Sequence, residues 1–542
     1  MLQKIKQLDA FLDAHSAALV IAAVALIARI PNLNEPYWYG DEAIYLTLGQ
    51  ALNKGYTLYS QIIDHKTPII YFLAKVGTQL NFRMLNMAWN TVSIILFYTL
   101  TFRLFRRRTW ATLATFLFAL LTTLPWFEGN IPNGELFVIG FVLAGATILG
   151  KTQFWQSYFS ESAPSIITNS KSTSNRERLL LILSGSIFSL AILTKIPAIF
   201  DLAAFLVIGF FKFIDDISRM TFSRVKALAK YTRPLMLIMA GVLMPIVLSV
   251  VYFTIQGAGK DYLDFGLLYN FRYAGTWNLN IAHPILAFMF TLPGKIGLLT
   301  LFIGLLAVLN QRISRVAQFS FAWFGLTLVA CLLSNRPYSH YFIQLAAPVA
   351  LIFTIALQQI SNLIKPPKHK TVPTDNFSLV TVVISGICIS LIIWILVFLK
   401  VSIYPAIPYY QRWLAFAQGK ISQDQYRQSF EGLMRDNYAF AEILKAEKQD
   451  KLFVWGTNPG IYALSNTTPT GRFTASFHIK DFNAYEETFR DLSQDAPEYI
   501  VMMNNETTHF PQLEAYLTEF YKPTWQKYEL YTVWKRKPAT SP

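Results

Sequence analysis

Two adjacent carboxylates, Asp41 and Glu42, follow the first long apolar run and sit among aromatic residues in Pro36-Tyr37-Trp38-Tyr39-Gly40-Asp41-Glu42-Ala43-Ile44-Tyr45. Charges beside a membrane-length apolar run are costly to take out of water, so their presence points to a task. The same stretch continues through Gly55-Tyr56-Thr57-Leu58-Tyr59 and Asp64-His65-Lys66-Thr67-Pro68. Further polar residues stand at the ends of later apolar runs: Glu128, Asn133-Gly134-Glu135, Lys195 before Pro197, Arg272, Tyr273, His283, and Asn335-Arg336-Pro337-Tyr338-Ser339-His340-Tyr341. A carboxylate accepts a proton, and fixed cations hold an anionic group. Gathered at one membrane face, these residues fit a polar cavity that does both. Each also has a plainer explanation: Asp41 caps a short helix starting at Glu42, Lys195 snorkels, His340 caps a turn and Arg336 anchors at headgroups.

The elements that must carry these residues are membrane spans. Of the 542 residues, 53% are hydrophobic and only 15% charged, which excludes disorder and disulfide scaffolds and indicates a polytopic membrane protein. Apolar runs fall at about 16–31, 84–102, 110–126, 135–150, 179–194, 196–211, 234–256, 285–310, 316–334, 340–360 and 377–401, about eleven spans. The stretch 62–82, broken by Asp64, His65, Lys66 and Lys75, reads as interfacial or re-entrant. The first run has no clear small-residue cleavage site and is read as a retained span rather than a signal peptide.

The net charge of +15 lies wholly before residue 402, where the chain divides. Its basic clusters (Arg103 to Arg108, Lys171 to Arg178, Arg219 to Arg233, Arg312 and Arg315, Lys365 to Lys370) occupy every second connection between runs. That alternation predicts a multi-pass protein with a cytoplasmic N-terminus and an extracytoplasmic C-terminal domain, expected in the plasma (inner) membrane, and because no basic domain stands apart no nucleic-acid partner is expected. Stretches 165–175 and 365–375 read as short cytoplasmic linkers. Cys331 and Cys388 fall inside apolar runs as core or lipid-facing residues.

The predicted fold class is therefore an all-α polytopic membrane domain over 1–401, with a catalytic outer loop at 32–83, followed by a small extracytoplasmic α/β domain over 402–542. In the latter the pattern predicts a polar helical stretch near 421–449, β-like runs at Leu452–Trp455 and Tyr499–Met503, a turn at 456–460, a helix near 511–520 and a β-like pair near 524–536.

The motifs come in a telling order: Arg29-Ile30-Pro31, Asp41-Glu42-Ala43-Ile44-Tyr45, Gly55-Tyr56-Thr57-Leu58-Tyr59, Asp64-His65-Lys66-Thr67-Pro68, Asn133-Gly134-Glu135, Leu193-Thr194-Lys195 and Arg336-Pro337-Tyr338-Ser339-His340-Tyr341. This order resembles the GT-C superfamily of polyprenyl-phosphate-sugar glycosyltransferases: the protein mannosyltransferase family (glycosyltransferase family 39) and its bacterial relatives that decorate lipid A or other envelope glycans. The resemblance covers roughly residues 10–400. It implies inverting transfer of a sugar from a polyprenyl-phosphate donor to a hydroxyl on a lipid, glycan or protein acceptor at the outer face of the bilayer.

Asp41 is then the candidate base, Glu135 a second acid that orients the acceptor or partners a cation, and Glu42 an acid that positions the loop. Lys66 would hold the departing phosphate, helped by Arg272, Arg336 or His340, with His65, Tyr59, Lys195 and Tyr338 as further substrate contacts. A lipid phosphate leaves as a stable anion, so one carboxylate with cations suffices and no metal or cofactor is expected; Asp41, Glu42 and Glu135 are the oxygen ligands that an ion would otherwise find. The competing readings are a transporter or lipid flippase, a non-catalytic envelope assembly protein, and an envelope-glycan polymerase or ligase.

Overall fold

The computed structural model describes residues 2–159, 174–218, 224–275, 277, 279–364, 377–526 and 528–538. The stretches expected as linkers, 165–175 and 365–375, lie outside the described residues apart from Ser174 and Asn175, as do the predicted cytoplasmic Lys171, Arg219, Lys365, Lys368 and Lys370.

Helices occupy each of the eleven apolar runs, from Leu2–Ala28 to Leu379–Phe398. Among the described residues, seven are long and apolar enough to cross a membrane, or eight if the bent pair Gly134–Leu149 and Gln153–Phe159 is one span. The chain is a multi-pass membrane protein, and the expected count of about eleven spans exceeds what length and composition support among the described residues. The shortfall has a physical cause. Arg108–Thr123 has 16 residues and reaches only about 24 Å, and Asn175–Ile192 opens on Arg176, Glu177 and Arg178.

The chain divides into two compact units. The first comprises Met1–Arg29, Asn86–Ser249 and Phe271–Tyr404 and is a helical bundle. Its core is rich in aromatic contacts: Phe205 packs against Phe188, Phe319 and Trp323. Helices Asn175–Ile192 and Arg224–Ile255 approach until backbones touch. A Cβ at Gly185 would collide with the carbonyl oxygen of Ile238, and one at Gly241 with that of Ile182, the small-residue crossing that apolar helices use in lipid. Cys331 and Cys388 are buried thiols.

The second unit comprises Ile30–Leu85, Val250–Asn270 and Pro405–Pro542. Five strands form its mixed sheet: β1 Lys451–Trp455, β2 Thr468–Pro469, β3 Tyr499–Met503, β4 Tyr521–Pro523 and β5 Tyr531–Arg536, in the order β2-β1-β3-β5-β4. β1 runs parallel to β2 and β3, while β5 runs antiparallel to β3 and β4. The run Leu452-Phe453-Val454-Trp455 is apolar throughout because both faces are covered. Leu452 and Val454 pack with Phe440, Leu444 and Tyr462, whereas Phe453 and Trp455 pack with Leu492, Phe510 and Leu513.

β1, β3 and the helix Pro511–Phe520 lie where the sequence pattern sets them. The polar helical stretch splits into Gln423–Gln428 and Leu433–Ala446, and the predicted strand pair becomes Tyr521–Pro523 and Tyr531–Arg536. Segment 62–82 is no span; its helix Ile69–Ala74 has six residues.

Candidate active site

Asp41 and Glu42 enter the first turn of helix Gly40–Asn53, where carboxylates suit the positive end of the helix dipole. Asp41 does not cap this helix. Tyr39 holds the N-cap position and no side chain caps it, which removes the plainer reading of Asp41. The helix packs on Ile69–Ala74 so closely that a Cβ at Gly49 would overlap the backbone of Ala74. That contact brings the turn before Ile69, carrying residues 64–67, back toward residue 41.

The two acids then part. Glu42 is fully buried and held by Arg83 through paired bonds, Nε to Oε1 and Nη2 to Oε2, each 2.7 Å. Gln79 donates to it as well, at 3.3 Å, and Arg83 also donates to the carbonyls of Asn32, Glu35 and Pro36. Asp41 keeps 28% of its side-chain exposure; its Oδ2 lies 3.4 Å from Lys66 Nζ and accepts from the Tyr45 hydroxyl at 3.1 Å.

Lys66 is nearly buried. Its ammonium sits 3.6 Å from Asp64 Oδ2 and over the Tyr45 ring at 4.9 Å. Its carbonyl accepts from the Tyr59 hydroxyl at 2.8 Å, and its N–H donates to the Tyr71 oxygen at 3.1 Å. Tyr59 is fully buried with φ 71°, a left-handed conformation that costs a tyrosine of order 1–3 kcal/mol and persists only where surroundings enforce it. Here they do: Tyr262 and Phe253 pack on its ring, and its N–H donates to Ile62.

Asp64 is fully buried behind Lys66 and accepts from the Tyr71 hydroxyl at 2.6 Å. Burial is the largest single influence and pushes its carboxyl up, but the Lys66 ammonium together with the facing His65 and His478 outweighs it and holds the group well below the usual carboxylate range. Burial likewise outweighs the Asp64 charge at His65 and lowers that imidazole, favouring its neutral form. Ile63 pairs with the segment at Phe473, its N–H donating to Arg472 O at 2.9 Å. His65 thereby meets His478, from helix Ser476–Asp481.

The remaining sequence-predicted residues belong to the helical bundle. Lys195 pairs with Glu135 and lies over the Tyr341 ring at 4.2 Å. His340 Nδ1 is 2.8 Å from Glu128 Oε2 and its ring stacks on Tyr338. Arg336 stacks on Tyr273 at 4.3 Å and Trp277 at 5.3 Å. Arg272 is exposed on the short helix Tyr269–Ala274.

The sequence pattern assigns Asp64 no part and does not mark Arg83, Tyr71 or His478. For His478 a signal existed, since the chain holds only seven histidines, but nothing local tied it to residue 65.

No family model matches the chain, and no curated protein matches it in sequence. Solved structures do. ArnT from Cupriavidus metallidurans in the apo state is similar over 96% of this chain and 98% of that one, at 10% identity and a TM-score of 0.48. The same protein bound to undecaprenyl phosphate is similar over 97% and 99%, at 11% and 0.49. The Archaeoglobus fulgidus oligosaccharyltransferase in the apo form is similar over 98% of this chain and 75% of that one, at 12% and 0.44. Likeness this distant says nothing about which residues act.

Proposed function

We propose that this chain is an integral-membrane glycosyltransferase that moves a sugar from a polyprenyl-phosphate-linked donor to a hydroxyl acceptor at the outer face of the membrane, with inversion, Asp41 acting as base and Lys66 holding the phosphate. The observation that carries this reading is the Asp41–Lys66 pair: a part-exposed carboxylate 3.4 Å from a nearly buried ammonium. The ordered motifs described above support it.

The geometry suggests how the pair works. In an inverting displacement the nucleophile and the leaving group lie on opposite faces of the anomeric carbon. Base and phosphate-holding cation must therefore stand well apart, as do the carboxyl groups of inverting glycosidases at about 6.5–9.5 Å. The 3.4 Å pair is then a resting arrangement. A donor phosphate competes with Asp41 for Lys66, opens the pair and leaves the carboxylate to take the acceptor's proton. Asp64, held ionised on the far side, gives Lys66 a standing counterion, and the Glu42–Arg83 pair anchors the helix that presents Asp41.

The test is transfer itself. Right-side-out vesicles given radiolabelled polyprenyl-phosphate sugar should move label onto another molecule, and inside-out vesicles should not. Donor that crosses the bilayer unconsumed would instead mark a flippase. With Lys66→Ala, loss of a charge-assisted contact should weaken donor binding about 10- to 100-fold. Unchanged donor affinity in that variant would move the phosphate site away from Lys66.

A further inference from the structure

Three ligand-type atoms converge on one buried point beside this pair. Asp64 Oδ1 lies 3.0 Å from His65 Nδ1 and 3.2 Å from His478 Nε2, and the two ring nitrogens are 3.2 Å apart. Asp64 and His478 are fully buried and His65 is 7% exposed.

A hydrogen-bonded triangle is the plain alternative, and it fits poorly. Each edge needs its own directed proton, and a ring nitrogen offers one direction only. If both facing nitrogens carry protons, two N–H groups oppose each other; if one does not, its lone pair faces the carboxylate. Asp64 Oδ1 accordingly has no partner in hydrogen-bond geometry despite two nitrogens within 3.2 Å, and His478 Nδ1 also has none. A cation resolves the frustration. Ligand atoms about 2.0–2.2 Å from one ion, at mutual angles of about 90° to 109°, stand roughly 2.9–3.5 Å apart, the spacing of this triangle.

We propose that Asp64, His65 and His478 bind one divalent transition cation of the zinc class, against the expectation from sequence that no metal is needed. Two imidazoles and one carboxylate suit zinc and its neighbours, whereas magnesium and calcium take oxygen shells. Three protein ligands leave a coordination position open. The ion ties the turn at residues 64–65 to helix Ser476–Asp481, and through the Asp64 carboxylate it fixes the partner of Lys66. The site does not depend on the glycosyltransferase reading, since metal binding is read without turnover.

The full-length protein, purified in detergent and stripped with a chelator, should take up about one equivalent of Zn2+ by elemental analysis and gain thermal stability with Zn2+ but not with Mg2+. Co2+ should give visible d–d bands. His478→Ala and Asp64→Asn should weaken Zn2+ binding at least about tenfold, while His509→Ala, at an exposed histidine of the same unit, should bind as wild type. Should the site variants fail to fold, the wild-type stoichiometry and Co2+ spectrum still decide. Wild-type protein that binds no Zn2+, binds Mg2+ in preference, or loses nothing in a folded His478→Ala variant overturns the proposal.

Discussion

The two units treat buried charge differently. In the helical bundle three buried acids each have partners of their own. Glu135 meets Lys195. Asp201, buried in a span, accepts from Trp323 Nε1 at 2.7 Å and from Gln344, and Asp215 is held by Arg315 at 2.9 Å with Asn310 alongside. In the second unit, Glu42 and Arg83 form a pair of the same closed kind. The cluster beside it is built otherwise: two carboxylates share one lysine, and two imidazoles crowd one carboxylate oxygen. A closed pair repays its desolvation within the protein and serves to hold elements together. A cluster with surplus ligands of one kind is only partly compensated, and it gains most from an incoming ion or substrate.

The largest effect expected from that contrast is at Asp41. Asp41→Asn keeps size and most contacts but cannot take a proton, so transfer should fall about 10²–10⁴-fold, roughly 3–5 kcal/mol of barrier. Its thermal midpoint should hardly move, because Asp64 still faces Lys66. Turnover close to wild type would break the assignment and direct attention to Glu135.

Next comes Glu42→Gln, which leaves Arg83 buried and underpaired. Folding stability should fall by about 3–5 kcal/mol, visible as a lowered melting midpoint. If Asp41→Asn destabilises the protein and Glu42→Gln does not, the division between contested and closed carboxylates is wrong. Glu135→Gln should have a smaller effect, about 1–3 kcal/mol, because Lys195 keeps the face of the Tyr341 ring and 16% of its exposure. A loss of transfer in Glu135→Gln without loss of stability would show that this pair, too, handles substrate.

Much of this was legible along the chain. Long apolar runs become helices because a backbone in lipid must satisfy its own hydrogen bonds, and eleven such runs did so. The four-residue run Leu452–Trp455 and the run Tyr499–Met503 became neighbouring strands covered on both faces. Span status was less legible, since an apolar run records hydrophobicity while crossing also demands length.

Within the candidate site, the sequence alone determined which residue types stand beside an apolar run: paired acids at 41 and 42, a lysine at 66 and a histidine beside an aspartate. Only the tertiary structure decided their roles. Arg83, 41 residues from Glu42, chose which acid is neutralised and buried. His478, 413 residues from His65, supplied the third corner of the triangle. Local pattern reports on propensity and burial within a few turns of chain. Contacts closed over hundreds of residues depend on how sheet, turn and helix pack, and that packing set the charge balance at each carboxylate.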